Sequence, residues 1–357
     1  MRLVEAGLVV QRGAFGDRRS GYPANMTLRI GILGAAGIAP NAIITPSRLI
    51  DDVEVVAVAA RDIWRAEEFA KEYEIAKVHA SYEQLLADPM IDAVYNPTPN
   101  GLHGFWTMAA LDAGKHVLCE KPFTANAAEA RDVAVAATSA RDRGLVVMEA
   151  FHYRYHPIVA RMLAIIASGE LGTVHSYHSG FGGSGAPRDD IRWNLALAGG
   201  ALMDVGCYPI HLLRTLSGQE PVVTSAMAHT LTPGVDGDFT IDLAFADGVT
   251  GHVSASMWSD MPYITARIEG DLGTLMVKNP FLPHEGNALV VTTSTGERSE
   301  TVQAETSYYY QLQAFAAAIA DGSPVLTGPD DSIATMEVID AAYLAAGLEL
   351  RHPSHQK

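Results

Sequence analysis

The chain has 357 residues, 48% apolar and 18% charged, with a formal net charge of −16 and two cysteines. That length calls for two domains with full cores, and the acidic balance excludes a nucleic-acid binder, which needs lysine and arginine to neutralise phosphates. Two cysteines cannot form a disulfide framework and point to a reducing cytoplasm, and no apolar run approaches the roughly 20 residues of a membrane span, so no membrane partner is expected.

Residues 1–25 carry only a short apolar piece, AGLVV, too small for the core of a signal peptide. They read as a poorly ordered extension, with Met26 directly before the first periodic stretch. From Leu28 the sequence alternates between buried strands and helical patterns. The expected strands are 28–34, 53–60, 91–96, 116–120 and 145–151, and the expected helices 38–49, 62–73, 81–87, 102–113 and 125–143. Asn126 and Glu129 form a capping-box-like start for the last helix, and Gly144 stops it. Val- and Ile-rich strands separated by helices imply a doubly wound parallel sheet of the nucleotide-binding type over 26–150.

After Phe151 the pattern changes to one helix, about 156–168, then an aromatic strand, VHSYHSGF, and a glycine-rich stretch. Strands follow in PVVTSAMAHT, FTIDLAFADG, VTGHVSASMW, YITARIEGD and TLMVKN, joined through Asp-Gly and Gly-Asp pairs typical of hairpins. The chain ends in two amphipathic helices, SYYYQLQAFAAAIADG and SIATMEVIDAAYLAAG. Residues 151–357 are therefore expected to form an α+β domain on an antiparallel sheet, which binds substrate and mediates self-association.

Chemistry is expected at the carboxyl ends of the first strands. GILGAAGIAP turns the first strand into a helix and aligns with a dinucleotide fingerprint, where backbone approaches a pyrophosphate. Gly34 takes the first glycine position, Ala36 the second and Ala39 the third, with Gly37 and Ile38 between them. Ala36 is a departure that holds the phosphates slightly further out. At the end of the second strand stands Arg61 rather than an acid, which favours NADP over NAD, and Asp62 reads as a helix N-cap. Thr98, Asn100 and His103 in YNPTPNGLH, and Glu120 and Lys121 in CEKPF, stand at the same crevice. Lys121 is either a proton-transfer group whose pKa burial and a nearby cation lower, or part of a surface salt bridge at a strand end. In ALMDVGCYPIH, Asp204, Tyr208 and His211 are spaced to share one helix face. Gly206 and Pro209 weaken a regular helix there, so Asp204 is expected in a turn and the helix near Pro209.

GILGAAGIAP, TPNGLH, CEKPF, SGELG, GGALMDVGCYPIH and IEGDLGTLMV occur in the order and spacing of the Gfo/Idh/MocA oxidoreductases, which the chain resembles from Leu28 to its C-terminal helices. The resemblance implies a Rossmann domain followed by a domain with a large open, mostly antiparallel sheet, through which a homodimer or homotetramer forms. It implies that Lys121 touches the reacting hydroxyl and the nicotinamide ribose, that the Lys121–Pro122 bond is often cis, and that Asp204 is the motif aspartate. Tyr208 falls where glucose–fructose oxidoreductase and dihydrodiol dehydrogenase have a tyrosine, and His211 where other members often have Asp or Asn. The expected activity is hydride transfer between NAD(P) and a carbinol carbon of a sugar or cyclic polyol. Tyr208 would serve as base, Lys121 would lower its pKa, and Asp204 would bind or orient. Phe151, Arg154, Trp193 and His211 would form the substrate wall. Two alternatives stand beside this reading: a dihydrodiol dehydrogenase or other NAD(P)H-dependent reductase, and a cofactor-binding regulator without turnover.

Overall fold

The computed structural model describes residues 27–183, 185–187 and 189–354; the expected extension over 1–25 lies outside them. Alternation of β and α elements builds the first sheet. In chain order these are β1 (Leu28–Leu33), a π-helical turn Pro40–Ile44 continuing into α1 (Thr45–Ser47), β2 (Val53–Ala59), α2 (Ile63–Tyr73), β3 (Lys77–His79), α3 (Tyr82–Leu86), β4 (Ala93–Asn96), α4 (His103–Asp112), β5 (His116–Cys119), α5 (Ala127–Arg141) and β6 (Val147–Glu149). All strand pairs are parallel, in the order β3-β2-β1-β4-β5-β6. The order reverses between β1 and β4, the place where an open α/β sheet forms its ligand crevice.

The second half runs α6 (Pro157–Ala167), β7 (Val174–Gly182), a π-helical turn Leu202–Gly206, α7 (Cys207–Ser217), β8 (Val222–Thr232), β9 (Val235–Ala244), β10 (Thr250–Ser256), β11 (Tyr263–Gly270), β12 (Gly273–Lys278), β13 (Ala288–Thr293), β14 (Gly296–Glu300), α8 (Ser307–Asp321) and α9 (Pro329–Ala345). Its sheet has the order β14-β13-β12-β11-β7-β10-β9-β8, antiparallel except for β7 beside β10. The chain is thus α/β, a Rossmann sheet followed by a mostly antiparallel one. α8 returns to the first sheet: Tyr308, Leu312, Phe315 and Ile319 are buried with Ile30, Ile43 and Tyr95.

Several boundaries differ from the sequence reading. β3, β13 and β14 are not among the expected strands: β3 has three residues and β14 is largely exposed, whereas β13, ALVVTT, alternates buried Leu289 and Val291 with less buried neighbours and is a strand the sequence reading missed. The expected helix 38–49 is a π turn plus a single short α segment, since Pro46 removes a backbone donor inside the run. α7 begins at Cys207, two residues before Pro209, which sits in the first turn where a missing N–H costs nothing. The run Leu195–Ser217 is long and apolar enough to cross a membrane, but 78% of that window is buried inside the protein. Its apolarity serves core packing. The capping box of α5 is present: Asn126 accepts from the Glu129 amide at 3.0 Å, and Glu129 accepts from Ala125 N at 2.8 Å.

Candidate active site

A cavity of about 940 Å³ opens at the β1/β4 crevice and reaches across to α7. Of the residues singled out from sequence, Gly34, Ala36, Gly37, Ile38, Arg61, Thr98, Asn100, His103, Glu120, Lys121, Asp204 and Tyr208 line it. Gly34 ends β1 at φ +125°, a conformation that L side chains rarely adopt. A Cβ added at Gly37 would meet nothing within 4 Å, because the space before it is the cavity itself. Among the described residues, the amides of Ala35, Ala36, Gly37 and Ile38 make no hydrogen bond within the chain. Four donors around an open cradle fit the pyrophosphate of a dinucleotide. Asp62 accepts from Trp64 N at 2.9 Å, so it caps α2 and leaves the β2 end to Arg61 and Arg65. Both arginines border the cavity beside Tyr82.

The rest of the loop system is rigid. His103 is buried between the two loops, with Nδ1 2.7 Å from Pro122 O and Nε2 2.7 Å from Thr98 O, and its neutral ring donates to one of the two carbonyls. Burial drives its pKa down to about 4, against the pull of both carbonyls. The Lys121–Pro122 peptide is cis. Thr98 Oγ donates to Asn96 Oδ1 at 2.8 Å, and Asn100 Nδ2 donates to Ala198 O at 3.1 Å.

Opposite the cradle, the two halves of the chain converge. Lys121 leaves the end of β5 and donates from Nζ to the main-chain oxygen of Asp204 at 2.8 Å, with Asp204 Oδ1 at 3.5 Å. The same ammonium lies 5.0 Å from the centroid of the Tyr208 ring. Arg192 donates from Nε to Asp204 Oδ2 at 3.0 Å and also pairs with Asp190. Burial is the largest single influence and opposes the charge on Lys121, but Asp204, with Cys207 and Glu120 adding to it, outweighs burial and the lysine pKa rises. Burial likewise opposes ionisation of Asp204, and Lys121 and Arg192 overcome it, so this carboxyl is held below its usual range. The expected lowering of the lysine pKa is therefore corrected: its partner is an anion. Tyr208 is corrected too. Burial, with Tyr308 and Glu120 adding to it, pushes the phenol well above its ordinary value, so Lys121 does not make it a phenolate.

Five expected positions do not reach the cavity. Ala39 is fully buried beneath the first turn. Phe151 is fully buried and stacks on His211 at 4.1 Å, one layer behind Tyr208. His211 is 1% exposed; Tyr153 Oη donates to its Nδ1, and its Nε2 meets Asp331 Oδ2 at 2.9 Å. The shared face of Asp204, Tyr208 and His211 holds only for the first two, which line the cavity; His211, one turn further along α7, is drawn into the core by Tyr153 and Asp331. Arg154 sits in a 3₁₀ turn, His152–Tyr155, whose three residues per turn send 152, 153 and 154 in different directions. His152 takes the one toward the cavity. Trp193 is 6% exposed and donates from its indole to Ala186 O at 3.2 Å, as a core residue does.

Sequence reading missed His152, Asp190, Arg192 and Tyr308, all of which line the cavity. Arg192 could have been suspected from RDDIRW, a charged cluster in an otherwise glycine-rich loop. Nothing local marks His152 or Tyr308, which come from a single turn and from the start of α8.

Residues 28–150 match the model of an oxidoreductase family with an NAD-binding Rossmann fold, GFO/IDH/MocA, and residues 159–276 match the C-terminal domain of the same family. The chain is 39% identical over 325 residues to D-xylose 1-dehydrogenase (NADP(+)) 2 of Haloferax volcanii, covering 89% of this chain and 97% of the relative. It is 37% identical over 260 residues to the trans-1,2-dihydrobenzene-1,2-diol dehydrogenase of Sus scrofa, covering 71% and 75%. A 3-ketoreductase from Actinomadura kijaniata, solved with NADP and TDP-benzene, superposes with a TM-score of 0.84 at 28% identity, covering 89% of this chain and 98% of that one.

Proposed function

The chain belongs to the Gfo/Idh/MocA oxidoreductase family, and from that premise we propose that it is an NADP-dependent dehydrogenase acting on a hydroxyl-bearing carbon of a sugar or cyclic polyol. The observation that carries this reading is the convergence of Lys121 with Tyr208 and Asp204 at the cavity that also holds the open glycine cradle. Residues 26–150 supply the cofactor side and residues 151–357 the substrate side.

A nicotinamide held at the cradle would supply the hydride chemistry; the protein has to orient the carbinol and move one proton. Lys121, held as an ammonium by Asp204, donates to the reacting oxygen and to the ribose beside it. Tyr208 exchanges its phenolic proton with that oxygen while remaining neutral overall. Asp204 and Asp190, bridged by Arg192, present acceptors and a donor to neighbouring hydroxyls of the sugar. Tyr308 and His152, tilted 32° to one another with centroids 4.0 Å apart, replace Phe151 and Trp193 as the aromatic wall.

The 2′-phosphate of NADP falls to Arg61 and Arg65. Arg61→Ala should raise the Kd for NADPH about tenfold or more, as loss of a charge-assisted contact does, and change that for NADH little. Fluorescence titration of both cofactors checks this, and equal losses refute it. The activity itself is tested on a panel of aldoses, cyclic polyols and a trans-dihydrodiol with NADP⁺ and NAD⁺, followed at the reduced-nicotinamide absorbance. Turnover of a sugar is expected; tight NADPH binding without any turnover would point to a regulator instead. Cys119 and Cys207 are buried and unpaired, which supports a cytoplasmic setting. Exposed Val222, Met227 and Met276 on the large sheet support self-association there.

A further inference from the structure

The hydrogen bonds around Tyr208 do not stop at the cavity wall. Tyr208 Oη lies 3.2 Å from His152 Nε2, and His152 Nδ1 lies 2.8 Å from Ser307 Oγ. Ser307 Oγ in turn lies 3.2 Å from Nδ1 of His284. His152 is 1% exposed and Ser307 is fully buried, whereas His284 is only half-buried, on the short turn Pro283–Glu285. The four side chains come from α7, the 3₁₀ turn after β6, the first residue of α8 and the loop after β12. They meet in series, with no gap longer than a hydrogen bond. We propose that Tyr208, His152, Ser307 and His284 form a proton wire between the substrate hydroxyl and solvent, in which Ser307 and His284 are further functional residues. The wire rests on the reading of Tyr208 as the proton acceptor.

Directionality makes the wire specific. A serine hydroxyl has one proton, so Ser307 donates to one histidine and accepts from the other. In one arrangement Tyr208 donates to His152 Nε2, His152 donates from Nδ1 to Ser307, and Ser307 donates to His284 Nδ1. In the other, every donor and acceptor is exchanged. Oxidation of the carbinol converts the first arrangement into the second. The carbon loses its hydride to the cofactor, and the hydroxyl proton passes to Tyr208 as the phenol gives its own to His152. The Nδ1 proton of His152 then moves to Ser307 and the serine proton to His284, whose Nε2 proton leaves to water. One proton enters, one leaves, and no group in the buried part carries a charge at rest. Reduction runs the same steps backward.

The surroundings agree with neutral relaying. His152 is faced by His284, Lys121 and His156 and lies against Tyr308 at a tilt; burial first, and then any positive charge on these neighbours, holds it well below its usual pKa. Tyr208 cannot become a free phenolate beside Glu120 and Tyr308, but it can exchange one proton for another. His284 faces Glu285 and Tyr308; burial lowers it, and Glu285 opposes this.

Two measurements test the wire. Long-range ¹H–¹⁵N spectra of the full chain should show opposite tautomers on His152 and His284, one protonated at Nδ1 and the other at Nε2. Identical tautomers on both rings would overturn the proposal. In turnover with D-xylose, D-glucose and NADP⁺, Ser307→Ala should lower kcat about tenfold or more, change the solvent isotope effect on kcat, and leave the Kd for NADPH unchanged. Ser307→Thr, which keeps the hydroxyl, should recover most of the rate. Undiminished turnover in Ser307→Ala would sink the wire alone if Tyr208→Phe is inactive; an active Tyr208→Phe would sink the reading of Tyr208 as well.

Discussion

Replacing Tyr208 by phenylalanine should cut kcat by about 10²–10⁴, the range lost with a general acid–base group, while NADPH binds as before. The substitution is clean because the ring is held by carbon contacts. Phe151, Phe181 and Phe281 surround it with centroids at 5.6, 5.5 and 5.3 Å, and Lys121 rests over the same ring. A phenylalanine keeps all of these and loses only the oxygen that meets His152. KM for the sugar should change far less than kcat, since the hydroxyls of the sugar are met by Asp190, Arg192 and Asp204. The pH profile supplies a second check. The phenol is driven well above its ordinary value by burial, so the wild-type rate should show no alkaline limb belonging to Tyr208 near neutrality. Steady-state kinetics and a fluorescence titration decide the matter; turnover within a few-fold of wild type would remove Tyr208 from the chemistry.

How far the site was legible depended on how locally its geometry is made. The glycine cradle was readable because a strand-to-helix turn, a positive φ at Gly34 and an open space at Gly37 are all consequences of neighbouring residues. The same holds for Asp62 and Asn126, whose side chains cap the helices they precede. Lys121 and Tyr208 were readable only through motif resemblance, since nothing local brings residues 87 positions apart together. His211 illustrates the opposite outcome. Its spacing from Tyr208 promised a shared face, yet Asp331 from α9 and Tyr153 from the 3₁₀ turn draw it into the core.

Charge environments were the least legible part. A lysine near a crevice reads as a group to be discharged, until the position of its nearest anion is known. Asp204, 83 residues away, supplies both its carboxylate and its main-chain oxygen, and reverses the shift. His152 and Ser307 escaped notice for the same reason: each becomes meaningful only when α8 returns to the first sheet. The missed strand β14 is the edge of the large sheet, where exposed Glu, Arg and Ser residues leave no apolar periodicity to read.

Arg351, three residues from the end of the described chain, should prove one of the most destabilising positions to change. It is 1% exposed and its Nη2 pairs with fully buried Asp236 at 2.6 Å, while its guanidinium lies 4.1 Å from the Tyr343 ring centroid. Burial pushes Asp236 upward and Arg351 is the first group opposing this. Arg351→Met leaves that carboxyl without its cation, and breaking a buried pair in this way costs about 3–5 kcal/mol. The loss should reach the site as well. Asp236 Oδ2 accepts from Leu202 N at 2.7 Å, and Arg351 Nε donates to Gly199 O at 2.8 Å, so the pair grips both ends of the segment that leads into the π turn bearing Asp204. A loosened turn displaces the main-chain oxygen that holds Lys121, and KM for the sugar should rise in Arg351→Met even below its unfolding transition. Combining it with Asp236→Asn should restore part of the stability, because the uncompensated charge is then gone. Urea unfolding of the three variants measures the coupling directly: strictly additive losses would show that the two side chains act independently, and a single-variant loss under about 1 kcal/mol would show that water reaches the pair.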